Sequence, residues 1–172
     1  MKENLAIIFG RRSIRSYQNR EISEELITLL LQAAMAAPSC CCTDPWRFII
    51  IRNSETLSRI AADLPNGKML PSANVGIVVC GDPNAAHDQL LSYMIQDCSA
   101  AIENILLAAH GLGLGACWLG VHPREGRVAH VKEVCEIPDP VIPVAVIALG
   151  YPAGKSVSRT RFTKEYVHFE KW

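Results

Sequence analysis

No run of apolar residues in this chain approaches the roughly 20 needed to cross a bilayer, so no membrane span is expected. The opening Met1-Lys2-Glu3-Asn4 lacks the apolar core and cleavage site of a secretory signal, which makes the cytoplasm the expected location. Net charge is zero, with 17 Lys and Arg against 17 Asp and Glu. A nucleic-acid surface would typically bring a net basic domain, so none is expected. Paired CxxC spacing is missing, and seven cysteines among 172 residues do not read as the framework of a short secreted chain. Cys80, Cys98, Cys117 and Cys135 stand singly in apolar surroundings, where a free thiol behaves as a small hydrophobe. The run Cys40-Cys41-Cys42 is odder, but three adjacent cysteines do not easily wrap one tetrahedral ion. The five histidines are scattered without a close pair. No metal site is therefore expected, and packing is the expected role of every cysteine. Repeats, low-complexity segments and internal linkers are also lacking, so residues 1–172 read as a single domain.

Acidic residues are absent from two stretches, and there the sequence says most. Gly10-Arg11-Arg12-Ser13-Ile14-Arg15-Ser16-Tyr17 carries three arginines and no acid, and Arg20 follows before Glu21. Residues 153–164 hold Lys155, Arg159, Arg161 and Lys164, again without an acid. Together these clusters contain eight of the 17 basic residues, at opposite ends of a neutral chain. Arginine presents a planar fork of donors that matches phosphate oxygens two at a time. A basic, solvated helix end is the alternative for the first cluster alone. Two such clusters are better explained by one shared phosphate.

Apolar residues make up 49 % of the chain against 20 % charged, with mean hydropathy +0.15. One explanation is a subunit that buries part of its surface against another. Residues 4–9 read as a short helix. Ser23 reads as the cap of a helix running to about Ala37, with Glu24 and Glu25 favourable in its first turn. Residues 37–46 form a loop and 47–52 a strand. Ser54 reads as the cap of a helix to about Leu64, and Val75–Cys80 as a buried strand. The longest helix spans about Asp88–Leu112. Gly111, Gly113 and Gly115 follow it, but the helix precedes the glycines and a strand comes after, the reverse of a dinucleotide fingerprint. They read instead as a helix cap and a close backbone approach. A strand at 116–119, a helix over 123–135 and a strand at 141–150 complete the pattern. Pro143 predicts an edge or an irregular start for the last strand.

Read in order, these stretches resemble the nitroreductase family of FMN-dependent oxidoreductases in its short form. Arg11-Arg12-Ser13-Ile14-Arg15-Ser16-Tyr17 resembles the family's opening RRSxRx(F/Y). Ala37-Pro38-Ser39 through Pro45-Trp46-Arg47-Phe48 resembles its loop APSxxNxQPWxF, and Lys68-Met69-Leu70 its KML segment. Residues 113–120 resemble GLGxxWxG. Gly150-Tyr151-Pro152 with Arg159 and Arg161 resembles the closing GYP and basic pair. The resemblance implies an α+β fold, a nitroreductase-like three-layer arrangement with a mainly antiparallel sheet between helices. It implies a homodimer with FMN at the interface and a C-terminal arm exchanged between subunits. It assigns Arg11, Ser13, Arg159 and Arg161 to the FMN phosphate and ribityl chain, with Arg12 contributing partly through its backbone. Arg15 and Lys68 are assigned to the pyrimidine end of the flavin. Pro38, Ser39 and Cys40, with Cys42 where the family carries Asn, would come from the partner subunit. The Leu119–Gly120 backbone would approach from another side. The flavin would carry the chemistry, so no side chain is named catalytic.

The implied activity takes hydride from NADH or NADPH and reduces nitroaromatics, quinones or similar small electrophiles by a ping-pong scheme. Alternatives are a flavin-binding thiol sensor without turnover, or a relative using its flavin for dehalogenation or flavin breakdown. Two residues depart from the family's loop: Cys42 replaces its Asn and Asp44 its Gln. An ionised Asp only accepts hydrogen bonds and would oppose cations beside a reduced flavin unless it pairs with Arg47 or another arginine. Trp46 and Trp118 are expected to pack in the core, Trp172 to dock on the partner, and the histidines to sit at the surface or cap helices. Only His122 is placed near the pocket.

Overall fold

The computed structural model describes residues 5–154, 156–157 and 160–172. Its centre is a sheet of four strands: β1 (Trp46–Ile51), β2 (Val75–Gly81), β3 (Gly115–Gly120) and β4 (Ile142–Gly150). The order is β1-β2-β4-β3, and every neighbouring pair is antiparallel. The inner strands β2 and β4 are covered on both faces, so they read as continuous apolar runs rather than alternating ones. Successive side chains still go to opposite faces. Val75, Ile77, Val79, Ala145, Ile147 and Leu149 join one buried cluster; Val78, Cys80, Val146 and Ala148 join the other.

Helices α2 (Glu24–Met35) and α4 (Leu91–Gly111) cover the first face, through residues such as Leu30, Met94, Ile102 and Ile105. Helices α3 (Ser54–Ala62) and α5 (Glu125–Cys135) cover the second, through Leu57, Ile60 and Val131. This is the expected α+β arrangement of a sheet between helical layers. The short α1 (Ala6–Gly10) buries none of its residues and leaves Leu5, Ile7, Ile8 and Phe9 exposed. Among the described residues no helix is long and apolar enough to cross a membrane.

Ser23 caps α2, its hydroxyl accepting from the Leu26 N–H. The cap of α3 is Asn53, one residue before the expected Ser54; its side-chain oxygen accepts from the Thr56 N–H at 2.9 Å. Asn53 has the extended backbone that a cap requires, whereas Ser54 is already helical. Pro143 lies in an inner strand, so the expectation of an edge fails and that of an irregularity holds. It stands opposite Cys80, where the β2–β4 register shifts. A residue without an N–H is tolerated where the ladder is already broken.

Candidate functional site

The arginine stretch continues the sheet beyond β3. Ser13 bridges Ala116 in parallel, and the Ile14 N–H donates to the Ala116 carbonyl at 3.0 Å. Gly115 permits the approach: a Cβ there would lie 2.7 Å from the Ile14 side chain. Gly113, two residues earlier, ends the connection from α4 with a φ of 75°, which glycine adopts without strain. Tyr17 then pins the stretch. Its hydroxyl donates to the Ile14 carbonyl at 2.7 Å and also lies 3.2 Å from the Ala148 carbonyl. Burial pushes the Tyr17 phenol well above its usual range, so it stays a donor. Tyr17 also bridges Pro152, and the Ala153 N–H donates to the Ser16 carbonyl at 3.0 Å. The two ends of the sequence are thereby laid side by side.

Two of the hollows along this stretch gather its arginines with basic residues from elsewhere in the chain. The first, about 700 Å³, is lined by Ile8, Phe9, Arg11, Arg12, Thr160, Arg161 and Phe162. The second, about 540 Å³, is lined by Arg15, Pro65, Asn66, Lys68, Met69, Cys117, Trp118 and Leu119. Arg11 Nε lies 3.3 Å from the half-exposed Glu103 carboxylate. Among the described residues Arg12, Arg15, Lys68 and Arg161 have no carboxylate within 4.0 Å. Arg12 and Arg161 share the first hollow and Arg15 and Lys68 the second, because Arg11–Arg15 runs along a sheet edge instead of forming a helix. Cys117 lines the second hollow. Burial pushes its thiol up, while Arg15 and a hydrogen bond with Ser13 pull the other way.

The loop after α2 is held separately. Ser39 and Asp44 are joined through the Ser39 hydroxyl, which donates to the Asp44 carboxylate and accepts from the Asp44 N–H. The Cys40 N–H donates to the buried Asp97 carboxylate on α4 at 3.0 Å. Cys41, Cys42 and Asp44 all have positive φ, between 49° and 56°, which folds the loop tightly.

Known proteins share this fold and sequence pattern. The family model described as "Nitroreductase family" matches residues 8–65 and 59–151. The chain belongs to the nitroreductase family. A Methanothermobacter thermautotrophicus protein named as a candidate NADH dehydrogenase/NAD(P)H nitroreductase is 48 % identical over 98 % of this chain and 87 % of its own length. A Parabacteroides distasonis crystal structure of similar name superposes with a TM-score of 0.93 at 37 % identity, covering 99 % of both chains. An FMN-dependent nitroreductase from Clostridium difficile gives a TM-score of 0.89 at 28 % identity, over 98 % of this chain and 99 % of that one.

Arg11, Arg12, Ser13 and Arg15 lie on one edge, Arg161 reaches the hollow of Arg11 and Arg12, and Lys68 and Leu119 share a hollow with Arg15. Gly120 is exposed beside Leu119, its carbonyl accepting from Arg127 at 3.0 Å. Arg159 lies outside the described residues. Pro38, Ser39, Cys40 and Cys42 line neither hollow of the same chain. The nitroreductase loop departs from expectation in its ion pairs. Asp44 takes Ser39 as its partner, and the Arg47 guanidinium goes to the Asp82 carboxylate at 3.0 Å, because β1 and β2 pair at their ends there. Trp46 is buried as expected, but Trp118 is not a core residue. It is 37 % exposed and lines the hollow of Arg15 and Lys68, because its place on β3 faces outward between buried Cys117 and Leu119. His110 was not singled out by its spacing, yet with Arg12 and Ile14 it lines a separate, smaller hollow of about 200 Å³ and packs against Gly10. Cys80, Cys98 and Cys117 are packed as expected; Cys41 and Cys42 are exposed and do not serve packing.

Proposed function

We propose that this nitroreductase-family chain is an FMN-dependent oxidoreductase that takes hydride from NADH or NADPH and reduces nitroaromatics, quinones or similar small electrophiles in a ping-pong sequence. One observation carries the reading: Arg11, Arg12 and Arg161 converge on one hollow while Arg15 and Lys68 line another along the same stretch. Among the described residues only Arg11 of these five has a carboxylate partner, Glu103, and cations gathered with so little compensation favour an anion. A phosphate-bearing flavin fits the donor set, with charge-assisted forks at one end and fixed positive charge at the other. The Clostridium difficile relative, FMN-dependent by name, supports the same assignment.

When bound, FMN supplies the two-electron chemistry, and the protein supplies binding and electrostatics. Arg11, Ser13 and Arg161, together with Arg159, hold the phosphate and ribityl chain, and Arg12 adds its backbone. Arg15 and Lys68 stabilise negative charge at the pyrimidine end, which favours the reduced form. The Leu119–Gly120 backbone and Trp118 border the same face. Pro38, Ser39, Cys40 and Cys42 come from the partner subunit of a homodimer. The apolar side chains left exposed on α1 and on residues 157–172 supply the surface such a dimer would cover. The whole of residues 1–172 acts as one domain, in the cytoplasm.

The test is a visible spectrum of the purified protein, before and after anaerobic addition of NADH and then NADPH. The expected result is a yellow flavin spectrum that bleaches with at least one of the two. A protein that stays colourless after FMN is supplied would overturn the reading.

A further inference from the structure

One side-chain cluster lies almost wholly outside these roles. The single turns Cys40–Cys42 and His87–Gln89 meet near the start of α4. Cys40 Sγ, Cys41 Sγ and His87 Nε2 all lie within 4.8 Å of one another. Cys41 Sγ is 3.8 Å from His87 Nε2, and Asp88 Oδ2 is 3.4 Å from the same nitrogen. In an extended chain, adjacent side chains point to opposite sides. A φ of 52° at Cys41 breaks that alternation, so both sulfurs reach one imidazole. The expectation that adjacent cysteines do not easily share one ion is thus met by a left-handed turn that brings two of them to one side.

The distances can be set against a tetrahedral ion. With Zn–S of about 2.3 Å and Zn–N of about 2.0 Å, the S···N edge of the tetrahedron is about 3.5 Å and the N···O edge about 3.3 Å. The Cys41–His87 and His87–Asp88 separations, 3.8 and 3.4 Å, are within a few tenths of those edges. Cys40 Sγ lies within 4.8 Å of both other ligand atoms.

An independent observation comes from α4. Asp97 is 6 % exposed and directs its carboxylate at this turn, Oδ1 accepting from the Cys40 N–H at 3.0 Å. Its second oxygen, Oδ2, is buried with no hydrogen-bond partner among the described residues. A buried, half-satisfied carboxylate is costly unless a positive charge lies near. Two acids, Asp88 and Asp97, thus face the same pair of sulfurs and the imidazole, and their surroundings favour a cation.

We propose that Cys40, Cys41 and His87 bind a soft or borderline divalent cation, Zn²⁺ foremost, with Asp88 reaching the fourth position and Asp97 as the buried counter-charge. Two thiolates and an imidazole select such an ion over Mg²⁺ or Ca²⁺. On binding, two S–H bonds give up their protons to solvent, two thiolates and a neutral imidazole donate lone pairs, and no electron changes hands. The site stands apart from the flavin reading, sharing only Cys40 with it.

The experiment is an anaerobic Co²⁺ titration of the full chain after chelator treatment, with and without added FMN. One Co²⁺ per chain is expected, with thiolate charge-transfer absorption and the intense red d–d bands of tetrahedral Co²⁺, both abolished by Zn²⁺. Cys41→Ser and His87→Ala are expected to remove those bands. Asp97→Asn should weaken affinity by about tenfold, the usual effect of losing an outer partner. Cys42→Ser, beside the ligands but not among them, should keep the bands. Absence of thiolate bands in the unaltered chain, or their persistence in both Cys41→Ser and His87→Ala, overturns the site; so does their loss in Cys42→Ser. Flavin absorbance in the same samples reads the other proposal separately, since bands without flavin uphold this site alone.

Discussion

Arg161 carries the proposed phosphate contact most cleanly, because among the described residues no carboxylate competes for it. Arg11 shares its guanidinium with Glu103 at 3.3 Å, so its removal also breaks a partly exposed ion pair. Arg161→Ala and Arg11→Ala are each expected to weaken FMN binding by about tenfold or more, from the roughly 1.5–3 kcal/mol of a hydrogen bond to a charged group. Fluorescence titration with FMN checks this, and unchanged affinity in both would remove the phosphate site. Tyr17 acts on the scaffold. Tyr17→Phe leaves the Ile14 carbonyl without its 2.7 Å donor and is expected to cost about 1–2 kcal/mol in urea unfolding. A shift of the midpoint with an unchanged slope would mark a stability effect alone.

At the level of elements, the site depends on a segment that is neither helix nor regular strand. Residues 11–17 are held by Ala116, Ala148 and Pro152, so β3 and β4 decide where the arginines stand. Gly115→Ala tests that dependence. Its new methyl meets Ile14 at 2.7 Å, at the β-branched carbon rather than the end of a flexible side chain. Overpacking of this kind costs about 1–3 kcal/mol. Lower stability together with weaker FMN binding is expected, since Ile14 lies between Ser13 and Arg15. Native FMN affinity in a destabilised Gly115→Ala protein would show that the edge and the site are uncoupled.

Across the whole molecule, thiols are buried on both faces of the sheet. Burial pushes Cys80 and Cys98 from the ordinary 9.0 to about 12. A group whose folded value is raised adds stability that is complete below the unfolded value and is lost above it. Stability is therefore expected to fall between pH 9 and pH 12, and Cys98→Ala should flatten that fall in urea titrations. Equal slopes for both proteins would contradict it. The exposed arm sets the second expectation. Phe162, Tyr166, Phe169 and Trp172 are each more than three-quarters exposed in the single chain, and His168 stacks on Trp172 with ring centroids 4.4 Å apart. Removing residues 153–172 is expected to weaken the proposed dimer in sedimentation velocity and to lower FMN affinity with it, because Arg161 leaves too. A truncated chain that remains a dimer would place the interface on α1 and its neighbours alone.

The sequence by itself determined the helices and the buried strands through hydrophobic periodicity, and its motifs, through the family they resemble, implied the layers and the flavin. Two acid-free basic clusters pointed to an anion, because local pattern and charge are written along the chain. Tertiary structure decided what depends on backbone direction and long-range register. It turned Trp118 outward on β3, gave Arg47 the Asp82 carboxylate rather than that of Asp44 through the β1–β2 pairing, and brought Arg161 to the hollow of Arg11. It also set His87 against Cys41, through two positive-φ turns 46 residues apart. Spacing along the chain does not encode such a meeting, because each turn bends locally while only the packing on α4 fixes their separation.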